Sequence, residues 1–313
     1  MKIIFAGTPE FAMPALKVFD KQELCAVITI PDRVVGRGRK LKSSPVAVYA
    51  RDNNLPLYQP EIIGHKFSKE LEKVKPDLLV AVAYGKIFRT YFLDVFPYGG
   101  LNLHPSLLPQ LRGPSPIPAA ILQRASETGV TVQKISPEID SGDILSQVSI
   151  RLEGTETTYD LSPLLAEKGA LILRDVVNKI KIGNSQSVHQ ENSLATYCSM
   201  ISREEGRIDW KKSAYEIESC VRAYNPWPHA FTTWNNKEIL ILESFVVKEI
   251  AVSELQMYPK GAVVGMDKGK GILVNTGQFY LCVTKLQIQG KKPVGWRDFL
   301  NGYPNITSAR FGL

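Results

Sequence analysis

Three short apolar runs leave little choice about the first half of this chain. Lys2–Ala6, Leu24–Ile30 and Leu78–Ala83 are short and rich in Ile, Val or Leu. Leu78–Ala83 contains no polar residue at all, the mark of a strand covered on both faces. Between the runs, Pro9–Phe19, Ser44–Asp52 and Phe67–Lys73 read as helices. The second opens with Ser44 as a cap and Pro45 at the first helical position. Strands alternating with helices predict an α/β domain built on a Rossmann-like, doubly wound, mostly parallel sheet. Ligands of such sheets bind at the carboxyl ends of strands.

The turn after the first run, Phe5-Ala6-Gly7-Thr8-Pro9-Glu10-Phe11, holds a single glycine. The further glycines that let a backbone approach a pyrophosphate are missing, which argues against NAD or another dinucleotide. A phosphate-binding P-loop motif is absent as well. Cys25, Cys198, Cys220 and Cys282 are widely spaced, with no Cys-x-x-Cys pair, so neither a metal site nor a redox dithiol is expected.

At 313 residues the chain has room for two domains. Thr128–Ile135 and Ile144–Leu152 read as strands, and Asp160–Ile182 as a long helix. A polar, weakly periodic stretch follows, with Gly183, Asn184, Ser185 and Ser187. Beyond residue 208, short β-branched segments (Glu238–Val247, Gly261–Val264, Gly271–Thr276, Phe279–Gln287) alternate with turn residues and suggest a small barrel. The expected organisation is a catalytic domain over 1–189, a linker over 190–207 and a smaller OB-like β-barrel over 208–313. No apolar run approaches the roughly 20 residues that span a bilayer. The start meets Pro9 and Glu10 too early for a secretory signal. A cytoplasmic protein with no membrane partner is expected.

The candidate chemistry lies in Leu101-Asn102-Leu103-His104-Pro105-Ser106-Leu107-Leu108-Pro109. In a strand, alternate residues share a face, so Asn102 and His104 would look into one site. An amide donor beside an imidazole can polarise a carbonyl and move a proton. Charge is the second signal. The net charge is +7, and Arg33, Arg37, Arg39, Lys40 and Lys42 fall within ten residues that contain no acid. Residues 260–313 carry eight Lys or Arg against Asp267 and Asp298. Two separated basic segments suit a polyanion that touches both.

Asn102, His104, Ser106–Pro109, Arg112-Gly113 and Asp140-Ser141-Gly142-Asp143 together resemble the signature of the 10-formyltetrahydrofolate-dependent formyltransferases. The Phe5–Phe11 turn, the basic stretch from Pro31 to Leu41, Ile201–Trp210, Arg222–Pro228 and Gly290-Lys291-Lys292 are similar to the branch of that family that acts on methionyl-tRNA. The resemblance runs from residue 1 to about 300. It implies that Asn102, His104 and Asp140 are catalytic, and that Ser106, Leu107, Leu108 and Pro109 line the folate site. It also implies that Arg37, Arg39 and Lys40 meet tRNA, with Arg37 at the position of the family's substrate-contacting arginine. The cosubstrate would be 10-formyltetrahydrofolate and the acceptor the α-amine of initiator methionyl-tRNA, with formylmethionyl-tRNA as the product used in translation initiation. The protein would be a monomer.

The chemistry is sound on its own terms. An α-amino group with a pKa near ~8 is neutral in useful fraction at neutral pH. Its attack on the formyl carbon builds an oxyanion for Asn102 and His104 to stabilise, while Asp140 orients His104 and helps relay the proton. Asp143 is the rival carboxylate. Alternative acceptors are a glycinamide ribonucleotide, an amino sugar or water, and a non-catalytic RNA-binding or folate-sensing protein is the rival of a different class. The basic segments favour the tRNA substrate over these. The chain departs from the family pattern at Ser43, at Pro114-Ser115-Pro116, and at Pro105, which removes a backbone N–H beside the site.

Overall fold

The structure, a computed structural model, describes residues 1–35, 40–248, 257–267 and 269–312. It forms two compact units. The first comprises Met1–Pro116, Glu127–Arg151 and Leu161–Ser199; the second comprises Ile117–Ser126, Leu152–Asp160 and Met200–Leu313.

In the first unit, β1 (Ile3–Gly7) is followed by a 3-10 turn and α1 (Met13–Lys17), then β2 (Leu24–Ile28). A hairpin of β3 (Arg33–Val35) and β4 (Lys40–Lys42) leads to α2 (Pro45–Asp52), β5 (Leu57–Tyr58) and α3 (His65–Glu72). Then come β6 (Leu78–Val82), α4 (Thr90–Leu93) and β7 (Gly100–His104), and, after α5 (Pro116–Leu122), which falls in the second unit from Ile117 on, β8 (Glu127–Lys134), β9 (Ile144–Arg151) and α6 (Thr158–Lys181). The sheet order is β5-β2-β1-β6-β7-β8-β9. The first five strands run parallel, and β8 and β9 are antiparallel. With the β3–β4 hairpin left out, this is the 3-2-1-4-5 order of a Rossmann half with an antiparallel extension.

Every residue of β1 and of β6 is buried, as their unbroken apolar composition requires of strands covered on both faces. One face packs under α3 and α4, where Phe67, Phe88 and Phe96 surround Phe92 at ring separations of 5.2–6.1 Å. Gly7 is dictated by space. A Cβ there would lie 2.7 Å from the Phe5 ring and 3.0 Å from the Val82 carbonyl oxygen. Helix α2 starts as its sequence implies, with Ser44 Oγ accepting from the Ala47 amide and Pro45 at the first position. Gly169 of α6 lets that helix close on the strand that will carry the site: a Cβ there would sit 2.7 Å from Leu103.

The far end of α6 is pinned to the start of β2. Glu23 accepts hydrogen bonds from Lys181 and, at 2.5 Å, from Arg174. Burial opposes its ionisation, yet the bonds from Lys181 and Arg174 bring the carboxyl down to about 2. A depressed native pKa stabilises fully above the unfolded value near ~4.3 and is lost as pH falls through about 2. Glu23→Gln is therefore expected to cost about 2 kcal/mol at pH 7. Urea unfolding should show nearly all of that difference gone by pH 2; an equal loss at both pH values would sink this account.

The second unit is antiparallel. After α7 (Ala214–Ala223) come β10 (Ala230–Trp234), β11 (Lys237–Val247), β12 (Val263–Asp267), β13 (Gly271–Asn275), β14 (Tyr280–Ile288), β15 (Val294–Gly295) and α8 (Trp296–Gly302). The order is β10-β11-β14-β13-β12, with β15 also on β14. Asn235 and Asn236 link β10 to β11 with φ of 49° and 58°, the left-handed pair that a two-residue hairpin demands. Ile217 and Val221 of α7 pack with Ile239, Ile272, Leu281 and Val283 of the sheet. Helix α7 begins with a reciprocal Ser213–Glu216 capping box.

Patterning leaves two points of the organisation open. The β-rich half is an antiparallel sheet, and no closed barrel is found among the described residues. Strand-like patterning specifies strands but not whether the two edges meet. The compact units are also discontinuous in the chain. Residues 190–199 belong to the first unit, and 117–126 and 152–160 to the second. Within the second unit, Thr158 Oγ1 donates to the Ala223 carbonyl at 2.6 Å and the Tyr159 amide to the Asn225 carbonyl at 3.1 Å. Such long-range partners leave no local pattern in the chain.

Candidate active site

Strand β7 lies where the sheet changes from parallel to antiparallel pairing. Its period of two puts Asn102 and His104 on one face, with His104 buried and Asn102 half-buried. On the neighbouring strand, Gln133 pairs with Asn102 and Thr131 with His104.

Asp140 arrives from the loop between β8 and β9, with φ of 51°, a left-handed position that Asp tolerates better than most residues. Its Oδ1 accepts from Asn102 Nδ2 at 3.2 Å and from Gln133 Nε2 at 2.9 Å. Its Oδ2 accepts from the Gly113 amide at 2.9 Å and lies 3.5 Å from His104 Nδ1. On the other side of the ring, His104 Nε2 is 2.9 Å from the Leu111 carbonyl oxygen. A carbonyl can only accept, so Nε2 carries a proton, and Nδ1 is the nitrogen free to take or give one opposite Asp140. The rest of the Asn102 carboxamide has no partner among the described residues and remains available to a carbonyl oxygen of a ligand.

The rival carboxylate is elsewhere. Asp143 accepts from His189, Lys134 and Ser187 at the half-exposed edge of the same loop. Hydrogen bonds from His189, Lys134 and Ser187 hold its carboxyl below the usual range. Of the two acids, Asp140 is the one that the fold brings to His104.

Ser106–Pro109 forms a locked turn beside these groups. Ser106 is buried and donates to the Gln110 carbonyl at 2.6 Å. Thr131 Oγ1 donates to the Ser106 carbonyl and accepts from the Leu108 amide, and Gln147 Nε2 donates to the Leu108 carbonyl. Leu108 is buried, while Leu107 and Pro109 are half-buried. Leu107 lies over Gly129, where a Cβ would come within 2.4 Å of it.

The basic stretch is only partly described. Arg37 and Arg39 lie outside the described residues, and Lys40 opens β4. The root of the hairpin is firmly held. Asp32 accepts from Gln59, Arg51 and Ser43 at 2.7–2.9 Å. Those bonds, Gln59 first, lower its carboxyl below the usual range.

Gln133, Gln190 and Gly113 touch Asp140; Gly113 belongs to the family signature, whereas the sequence alone marks neither Gln133 nor Gln190 as functional. For Gln133 a signal existed: Thr131 and Gln133 flank Val132 and are two apart in one strand, so they face the same way. Gln190 lies in a polar stretch with no periodicity and left no such trace.

A Rossmann-like sheet that presents an amide, an imidazole and a carboxylate at a strand's carboxyl end has the make-up of an enzyme for acyl-group transfer. The chain belongs to the formyl transferase family: residues 1–177 match the formyl transferase model and residues 200–304 match the formyl transferase C-terminal domain. It is 41% identical to Methionyl-tRNA formyltransferase of Treponema denticola over 320 residues, covering 99% of each chain. Against Methionyl-tRNA formyltransferase of Pseudoalteromonas translucida it is 39% identical over 305 residues, 96% of this chain and 94% of the relative. Among solved structures, WlaRD, a sugar 3N-formyl transferase crystallised in the presence of dTDP and 5-N-formyl-THF, has a TM-score of 0.65 at 21% identity. The match covers 93% of this chain and 99% of that one. That likeness concerns the fold.

Proposed function

We propose that this chain transfers the formyl group of 10-formyltetrahydrofolate to the α-amine of initiator methionyl-tRNA, with Asn102, His104 and Asp140 as the acting side chains. The observation that carries the reading is the meeting of these three groups, in a chain similar over its whole length to methionyl-tRNA formyltransferases. The neutral amine attacks the formyl carbon and a C–N bond forms. The oxyanion takes a hydrogen bond from the spare Asn102 N–H. The proton shed by the amine passes to the His104–Asp140 pair and is returned to N10 of the folate as the N10–carbon bond breaks. In this reading folate lies along the Ser106–Pro109 turn, against the half-buried Leu107 and Pro109 rather than the buried Ser106 and Leu108. The second unit is a tRNA-binding module of OB-like type, and the protein works as a cytoplasmic monomer.

Formyl transfer from 10-formyltetrahydrofolate to charged initiator tRNA is the direct test. No transfer to methionyl-tRNA alongside robust transfer to a small amine would overturn the substrate assignment. Arg37→Ala is expected to raise the KM for methionyl-tRNA while leaving that for the folate unchanged. It should also lower the salt slope of tRNA binding by about one phosphate contact. Equal losses on both substrates would remove Arg37 from the tRNA contact.

A further inference from the structure

The segment after α6, exposed along most of its length, makes a second contribution to the site through one buried residue. Val188 and Ile144 exchange backbone hydrogen bonds at 2.8 Å, so the chain joins the start of β9. Further on, the Arg112 amide donates to the Thr196 carbonyl and the Cys198 amide to the Arg112 carbonyl. Gly113 is glycine because this strap passes over it: a Cβ there would lie 2.2 Å from the Cys198 carbonyl oxygen.

Gln190, 2% exposed, sits at the centre. Its Oε1 accepts twice from the Arg112 guanidinium, at 2.9 and 3.1 Å. Its Nε2 reaches the Asp140 carbonyl at 2.9 Å, the Gly142 carbonyl at 2.7 Å and Gln133 Oε1 at 3.2 Å. One carboxamide thus holds the Asp140–Gly142 stretch of the loop and also Gln133, itself a donor to the Asp140 carboxylate. Arg112 is 2% exposed and its other acceptors are Asn192 and Tyr197. No carboxylate pairs with it among the described residues. A buried cation given only neutral acceptors makes those acceptors hard to move.

We infer that Gln190 is a positioning residue for formyl transfer: anchored on Arg112, it sets the Asp140 carboxylate against His104 Nδ1. The inference rests on the catalytic reading of Asp140 above. It turns the stretch expected to be a linker into part of the reaction centre, and it divides the amide into two jobs that substitutions can separate. The oxygen holds Arg112; the nitrogen holds the loop.

Gln190→Met removes both jobs, and Gln190→Glu restores an acceptor for Arg112 while placing oxygens against the Asp140 and Gly142 carbonyls. In the full-length protein, Gln190→Met should lose thermal stability and Gln190→Glu should regain it. Both should show kcat lowered roughly 10–100-fold, with the KM for 10-formyltetrahydrofolate and for methionyl-tRNA within about twofold of native. The pH profile of kcat should shift in both. If Gln190→Glu recovers kcat together with stability, Gln190 only holds Arg112 and the inference falls. A native pH profile and kcat in Gln190→Glu would overturn it as well. Asp140→Asn, run in parallel, separates the two claims. Full activity in Asp140→Asn overturns the catalytic reading itself, whereas an inactive Asp140→Asn beside a fully active Gln190→Glu overturns only the positioning role.

Discussion

His104→Ala should lower kcat for formyl transfer by about 10³-fold and leave both substrate KM values close to native. The imidazole is the one group that faces Asp140 through Nδ1 while anchored by Nε2 on the Leu111 carbonyl. Asp140 keeps its bonds from Asn102, Gln133 and Gly113 without it, so the loop should stay in position. The stability cost should be about 1–3 kcal/mol, from a buried ring removed and a carbonyl left with only the weak Cys198 thiol as donor. Single-turnover formylation and urea unfolding measure the two effects separately. A variant within tenfold of native would show that the proton moves by a route that bypasses His104. Asn102→Ala should lose about 10²–10³-fold, the range for a single oxyanion donor.

A comparably large effect is expected at a residue that has no side chain. Gly142→Ala would set a Cβ 1.8 Å from the Lys134 carbonyl oxygen and 2.8 Å from its carbon. Backbone of β8 cannot yield by that distance, so the loop must move, and Asp140 is two residues away. A displacement near 1 Å in a reacting group costs about 10²-fold in rate; overpacking adds a stability loss of about 1–3 kcal/mol. Asp143→Ala, one residue further on, is the control. Asp143 faces Lys134 and His189 at a half-exposed edge, and surface pairs of that kind are worth about 0–1 kcal/mol. The rate should be native there. If Asp143→Ala were the more damaging of the two, the roles of the two carboxylates would have to be exchanged.

These contrasts show what kind of information each level holds. Apolar runs of strand length, interrupted by capped helices, were enough to specify a parallel α/β sheet. Burial on both faces forbids polar residues over the whole strand, and that constraint is written locally. Period two was enough to place Asn102 and His104 on one face, and Ser44-Pro45 enough to start α2. For the second unit, patterning specified short strands, yet the order β10-β11-β14-β13-β12 turns on one pairing, β11 with β14, between segments far apart in the chain. The chain's passages between units at 117–126 and 152–160 are likewise settled by distant partners.

The site divides the same way. Asn102 and His104 were legible from their own strand, and Asp140 only through family resemblance, since it lies 38 residues from Asn102. What the tertiary structure alone decided was the surroundings of that carboxylate. The β7–β8 register sets Gln133 opposite Asn102, and the strap after α6 brings Gln190 between Arg112 and the loop. A strand's sequence declares which side chains share a face, but it carries no record of register or of the donors that a carboxylate will meet. Those follow from how separate segments pack, and here they bring a residue that looks like linker against the Asp140 loop.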